Sequence, residues 1–226
     1  MVFVSLPSRK RPQHHWAAAL LALVALSVFL WLQFGLGADA RRAVIEHWGT
    51  VSASAGQWRS FWMDGRAIRL VSALFIHASV LHLVGNGLFL LIFGVPSERV
   101  LGPWRLLLLF LIGGAVGNFA ASMLIGEPAR VIIGASGGIS ALVGAYLVLF
   151  PGAKLGVVVP LGLWLEFVKL PAASLIGLWV LLQLAFTYAG PSFGTMAWSA
   201  HLTGFAVGVI MSLLFRPWLR RAARGT

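Results

Sequence analysis

Apolar runs of 15 to 22 residues alternate with short polar or basic breaks along the whole chain. A helix that crosses a bilayer needs about 20 apolar residues, within a range of roughly 17–25. The pattern predicts six spans, at about 16–37, 79–95, 104–125, 136–150, 172–189 and 198–215. A seventh run, "LGVVVPLGLWLEFVKL" at 155–170, is interrupted by Pro160, and its Glu166 and Lys169 would be costly in hydrocarbon. It is expected to lie at the interface rather than to cross. The fold class that follows is all-α: a polytopic membrane protein, a six-transmembrane-helix bundle with an interfacial first outer loop. Its organisation reads as a basic cytoplasmic N-terminus over 1–15, one membrane domain over 16–215 and a basic cytoplasmic C-terminus over 216–226. The opening "MVFVSLPSRKRPQHHW" leads into the first run without a convincing small-residue cleavage site. That run is expected to be a retained span, not a signal peptide.

Composition agrees with the pattern. Of 226 residues, 59% are hydrophobic and 10% charged, against roughly 25% charged in a soluble domain. The mean hydropathy is +0.91. A net charge of +11 could point to nucleic acid, but the basic residues cluster at segment ends, where topology accounts for them. With the N-terminus inside, eleven lysines and arginines fall in inner segments and six in outer ones, which predicts cytoplasmic termini. The long outer loop, about 38–76, carries Trp48, Trp58, Phe61 and Trp62 among its arginines, a composition suited to the headgroup boundary. Cysteine is absent, which excludes disulfides, thiolate metal sites and a cysteine nucleophile.

Polar groups inside spans are costly and default to function. Four stand out: His82 and Asn86 in "LHLVGNG", Ser136 in "GASGG" and His201 in "AHLTGFAVG". Each lies near the start of an even-numbered span, so the topology brings all four to similar depth on the outer side. A metal site is disfavoured. His77 and His82 are five apart, about 140° round a shared helix, and no carboxylate or cysteine joins them. The six acids fall at segment ends or in loops, which argues against a proton-coupled transporter.

Serine with histidine suits nucleophilic catalysis, the imidazole taking the hydroxyl proton and later giving it to the leaving amine. Two helix backbones must then approach closely. Gly137, Ala141 and Gly144 make one small-residue stripe, and Ala200, Gly204 and Gly208 another. Packing the two would set Ser136 against His201. No acid is placed to orient His201, so a dyad is expected, its imidazole held by packing or by a weaker polar neighbour. Asn86 lies four residues after His82, on the same helix face, and with backbone N–H groups near Ser136 could stabilise an oxyanion. A structural histidine and asparagine is the bland alternative. From Ser136 to Pro151 the helix is about 22 Å long at 1.5 Å per residue, against a hydrocarbon core of about 30 Å. Ser136 should therefore sit below the outer surface at a helix start, among free N–H groups. Gly134 and its neighbours permit the tight backbone there.

Four ordered motifs resemble the rhomboid family of intramembrane serine proteases, over about residues 66–210. They are "RLVSALFIHASVLHLVGN", "FGVPSERVLG" (similar to the turn after the second span), "GASGGISALVGAY" and "AHLTGFAVG". The resemblance implies Ser136 as nucleophile and His201 as general base and acid. It also implies an oxyanion hole of His82, Asn86 and the backbone of Ser136 and Gly137. The implied substrates are membrane-spanning segments of other proteins within the lipid bilayer, cleaved without metal or cofactor. The implied place is a bacterial inner (cell) membrane, with the active site opening to the outer face. Two positions depart from the family pattern: Ile68-Arg69 stands where a Trp-Arg pair is frequent, the Trp58-Arg59 pair lying too far upstream, and Ser140 stands where some members carry a tyrosine against the histidine. A non-catalytic rhomboid-like membrane chaperone or binding protein is the other reading. The presence of both Ser136 and His201 favours the protease.

Overall fold

The computed structural model describes residues 15–52, 65–125, 130–161, 164–189 and 197–224. Expectations for Arg9, Lys10, Arg11, Trp58, Arg59, Phe61 and Trp62 lie outside the described residues.

The chain folds as helix α1 (Ala17–Phe34), helix α2 (Ala38–Trp48), a two-residue strand β1 (Thr50–Val51), and a short helix α3 (Arg69–Ser72) flanked by 3₁₀ turns. A second long helix begins as α4 (Val80–Phe89), passes through a π-helical segment at Leu90–Gly94, and continues as α5 (Val95–Leu101). Helix α6 (Pro103–Leu124), strand β2 (Val131–Ile132) and helix α7 (Ser136–Leu149) follow. Strands β3 (Lys154–Leu161) and β4 (Trp164–Pro171) precede helices α8 (Ala172–Ala189) and α9 (Trp198–Arg224). Among the described residues, five helical stretches are long and apolar enough to cross a membrane: Ala17–Phe34, Val80–Leu101, Pro103–Leu124, Ala172–Ala189 and Trp198–Trp218. Ser136–Leu149 is a shorter apolar helix among them. The outward faces are apolar, with Leu23, Leu81, Leu91, Leu181 and Leu214 all exposed. A bundle with such an exterior is an integral membrane protein, because lipid serves its outer side chains as solvent.

Two spans outrun their expected ends. The second reaches Leu101 rather than 95, so "FGVPSERVLG" is mostly helix, not turn. Pro96 lacks an N–H, and the π turn before it takes this up: the Val95 N–H donates to the Leu90 carbonyl. The Ser97 hydroxyl donates to the Phe93 carbonyl at 2.6 Å. The extension places Glu98, 1% exposed, against the start of α1. Its carboxylate accepts the Ala17 N–H at 2.7 Å and the Ala18 N–H at 3.0 Å. Helix α1 has no capping side chain of its own, so Glu98 supplies the acceptors its orphan N–H groups need. The last helix likewise runs past 215, carrying Pro217 inside it, to Arg224.

Segment 155–170 does not cross, but neither is it a featureless interfacial stretch. β3 and β4 pair as an antiparallel hairpin, from Lys154 opposite Pro171 to Leu161 opposite Trp164. β-Branched Val157, Val158 and Val159 favour extended backbone. The hairpin returns the chain to its starting point, where the Ala172 N–H donates to the Ala153 carbonyl at 2.8 Å. α7 therefore ends, and α8 begins, at the same end of the bundle. The described part of the first loop also enters a small sheet. β1 pairs with β2 just before Ser136, Thr50 opposite Ile132 and Val51 opposite Val131. Among the described residues, the all-α bundle thus carries two small sheets.

α7 lies at the centre, buried along Gly137–Tyr146. Its most extensive neighbour is α9. The packing is backbone on backbone: a Cβ on Gly204 would strike the Gly137 carbonyl oxygen, and one on Gly208 the Ala141 carbonyl oxygen. Gly144 faces the Phe205 carbonyl oxygen in the same way. These are the two expected stripes, seated against each other.

Candidate active site

The close α7–α9 approach brings two side chains into contact. The Ser136 hydroxyl lies 2.8 Å from His201 Nε2. Ser136 is the first residue of α7, so its own N–H and those of Gly137 and Gly138 belong to the turn that has no intrahelical acceptors. Ser136 and His201 are both half-buried.

The backbone entering Ser136 is fixed from three sides. The Gly134 N–H donates to the Ala73 carbonyl at 2.9 Å. Ile132 is held in the β1–β2 pair. The Ala135 N–H points at His77 Nε2 over a long 3.5 Å. Gly134 has φ +118°, a conformation that side chains with a Cβ rarely adopt. A Cβ there would lie 2.6 Å from the His82 imidazole and 3.8 Å from Asn86 Nδ2. His82 and Asn86 thus line the turn leading into Ser136, and all four polar residues singled out in the sequence converge. Asn86 Nδ2 is buried and has no hydrogen-bond partner among the described residues, which leaves a donor available at the turn.

His77 and His82 do not share a helix, contrary to the premise of their 140° spacing. α4 starts at Val80, after an extended link at Ile76, with Ser79 capping it by accepting the His82 N–H. The two rings instead meet edge to face with centroids 5.0 Å apart. Burial, reinforced by the neighbouring His82, pushes the His77 imidazole down to about 4, while the Phe75 carbonyl opposes the shift. A neutral His77 can donate from Nδ1 to Phe75 and accept at Nε2.

Sequence reasoning missed what holds His201. Its Nδ1 lies 2.7 Å from Gln183 Oε1 on α8. Trp179 stacks on the imidazole, centroids 6.5 Å apart at 25°, and Trp198 meets it edge-on at 5.9 Å. Ser140, at the position where an aromatic was considered, turns its hydroxyl to the Ser136 carbonyl at 2.7 Å. The available signal was one amide in the apolar run Ala172–Ala189, a turn after a tryptophan.

A family model of the rhomboid domain matches residues 64–218. Rhomboid-related protein 2 of Mus musculus is 40% identical over 80 residues, 35% of this chain and 26% of that one. A rhomboid protein of Bacillus subtilis is 33% identical over 141 residues, 59% of this chain and 64% of its own length. The presenilin-associated rhomboid-like protein A, mitochondrial, of Danio rerio is 32% identical over 146 residues, 64% of this chain and 36% of that one. The matches span less than two thirds of each of these relatives. Matched over more than half its length by that family model, this chain belongs to the rhomboid family.

Proposed function

We propose that the chain is an intramembrane serine endopeptidase that hydrolyses peptide bonds in or near the membrane-spanning segments of other proteins. The observation that carries this reading is the 2.8 Å contact between the Ser136 hydroxyl and His201 Nε2, inside the reach that proton transfer from a nucleophile to its base requires. His201 takes the hydroxyl proton as Ser136 Oγ bonds to the scissile carbonyl carbon. The carbonyl oxygen becomes an oxyanion, for which Asn86 Nδ2, His82 and the N–H groups of Ser136 and Gly137 are the nearby donors. The positive end of the α7 dipole favours the same charge. His201 then gives its proton to the departing amine, and water attacking the acyl-serine completes hydrolysis by the same route in reverse order.

Ser136 begins α7 and the β3–β4 hairpin follows the end of that helix, so Ser136 lies toward the end of the bundle opposite the hairpin. Lysines and arginines are in excess in the segments at the hairpin end, which supports cytoplasmic termini and an outward-facing site. Lipid and single-pass membrane proteins are the partners of this reading. Incubating the purified chain with a single-pass substrate in detergent tests it. Wild type should release two fragments, and Ser136→Ala and His201→Ala should release none. Cleavage by either variant at the wild-type rate refutes the reading, and intact substrate with wild type favours a non-catalytic binding role.

A further inference from the structure

Helix α8 is the least embedded of the long helices. Its buried residues are Ala172, Ile176 and Gln183, so it leans on the bundle along one stripe, at spacings of four and seven. Leu178, Leu181, Leu182 and Leu184 are exposed. Trp179 lies on the same stripe, one turn before Gln183. A leucine would serve packing at position 183, and burying an amide in an apolar helix is unfavourable unless the amide is bonded. Gln183 is 5% exposed, and its Oε1 meets His201 Nδ1 at 2.7 Å.

We propose that Gln183 is the positioning residue for the base, fixing the tautomer of His201 while Trp179 fixes the plane of its ring. An amide oxygen only accepts hydrogen bonds, so its partner Nδ1 must carry the proton. A neutral imidazole with Nδ1–H has its lone pair on Nε2, the atom facing the Ser136 hydroxyl. Gln183 thereby does through a neutral amide what a carboxylate does in a Ser-His-Asp triad, holding orientation and tautomer without supplying charge. The arrangement becomes Ser136–His201–Gln183, with the third member on a different helix from the other two. It replaces the orientation that Ser140 cannot give. This role rests on the protease reading for its effect on rate, while the tautomer assignment stands apart from it.

The test uses the full chain in micelles, labelled with 15N-histidine, as wild type, Gln183→Met and Gln183→Glu. Nitrogen chemical shifts of His201, assigned by loss of its signals in His201→Ala, should report Nδ1–H in wild type and a shift toward Nε2–H in Gln183→Met. Cleavage kcat should fall roughly 10- to 100-fold in Gln183→Met with KM nearly unchanged, the loss of one buried hydrogen bond read as a rate. Gln183→Glu keeps an acceptor and should restore most of the rate, with the acid limb of its pH–rate profile moved to higher pH by the added negative charge. An Nε2–H tautomer in wild type overturns the proposal even if neither variant folds. So does a Gln183→Met protein with wild-type kcat and tautomer, or a Gln183→Glu protein that merely loses rate with an unmoved limb. If wild type cleaves nothing yet the tautomer follows residue 183, the positioning role stands and the protease reading fails.

Discussion

Replacing Gly134 by alanine tests how the turn before Ser136 is built. Two costs arise together. At φ +118° a Cβ is strained against its own backbone, and conformations of this kind cost about 1–3 kcal/mol. The new methyl would also stand 2.6 Å from both Cε1 and Nε2 of His82, so the ring must withdraw by about 0.8 Å to reach the 3.4 Å of ordinary contact. In a preorganised site a misplacement of about 1 Å can cost about 10² in rate. Gly134→Ala should therefore lose about 1–3 kcal/mol of unfolding free energy and roughly 10- to 100-fold in cleavage rate. Gly152→Ala is the control, because nothing among the described residues lies within 4 Å of its Cβ position and its backbone is not left-handed. Thermal unfolding in detergent reads the first quantity and turnover of a single-pass substrate the second. If Gly134→Ala matches Gly152→Ala in both, the turn does not hold His82 as described.

Two further outcomes are expected. Glu98→Gln leaves one oxygen for two N–H groups and turns an amide N–H toward the start of α1. It should destabilise the chain by about 1.5–3 kcal/mol, the value of one hydrogen bond to a charged group, and unchanged unfolding would show that α1 is not anchored there. Asn86→Ala removes a buried donor that has no partner among the described residues and should lower kcat by up to about 10²–10³, as loss of a single oxyanion donor does elsewhere. A wild-type kcat would remove Asn86 from the oxyanion hole.

The spans and the meeting of Ser136 with His201 were legible because they depend on one-dimensional properties: run length, the parity of crossings and the spacing of small residues. Gly204 and Gly208 could be matched to Gly137 and Ala141 from the sequence, since only small side chains let two backbones touch. What escaped depends on rotation and on distant pairing. Gln183 is one polar residue in an apolar run, and which way it faces is set by how α8 rolls against α9. The β1–β2 pair joins two-residue strands some eighty positions apart, too short for any alternation to show. The second span was expected to end at about 95, and the π turn at Leu90–Gly94 is what lets the helix run on through Pro96. The 140° spacing of His77 and His82 supposed a shared helix, and the break at Ile76 and Ser79 removes that supposition.

The central claim, that His201 makes Ser136 a nucleophile, is tested most directly by a fluorophosphonate probe and mass spectrometry of the labelled chain. Attack by Ser136 Oγ on phosphorus forms an O–P bond and expels fluoride, with the hydroxyl proton passing to His201. The predicted result is one adduct on the peptide containing Ser136 in wild type, and none in His201→Ala. An adduct on a different serine, or equal labelling of Ser136 without His201, would contradict the claim.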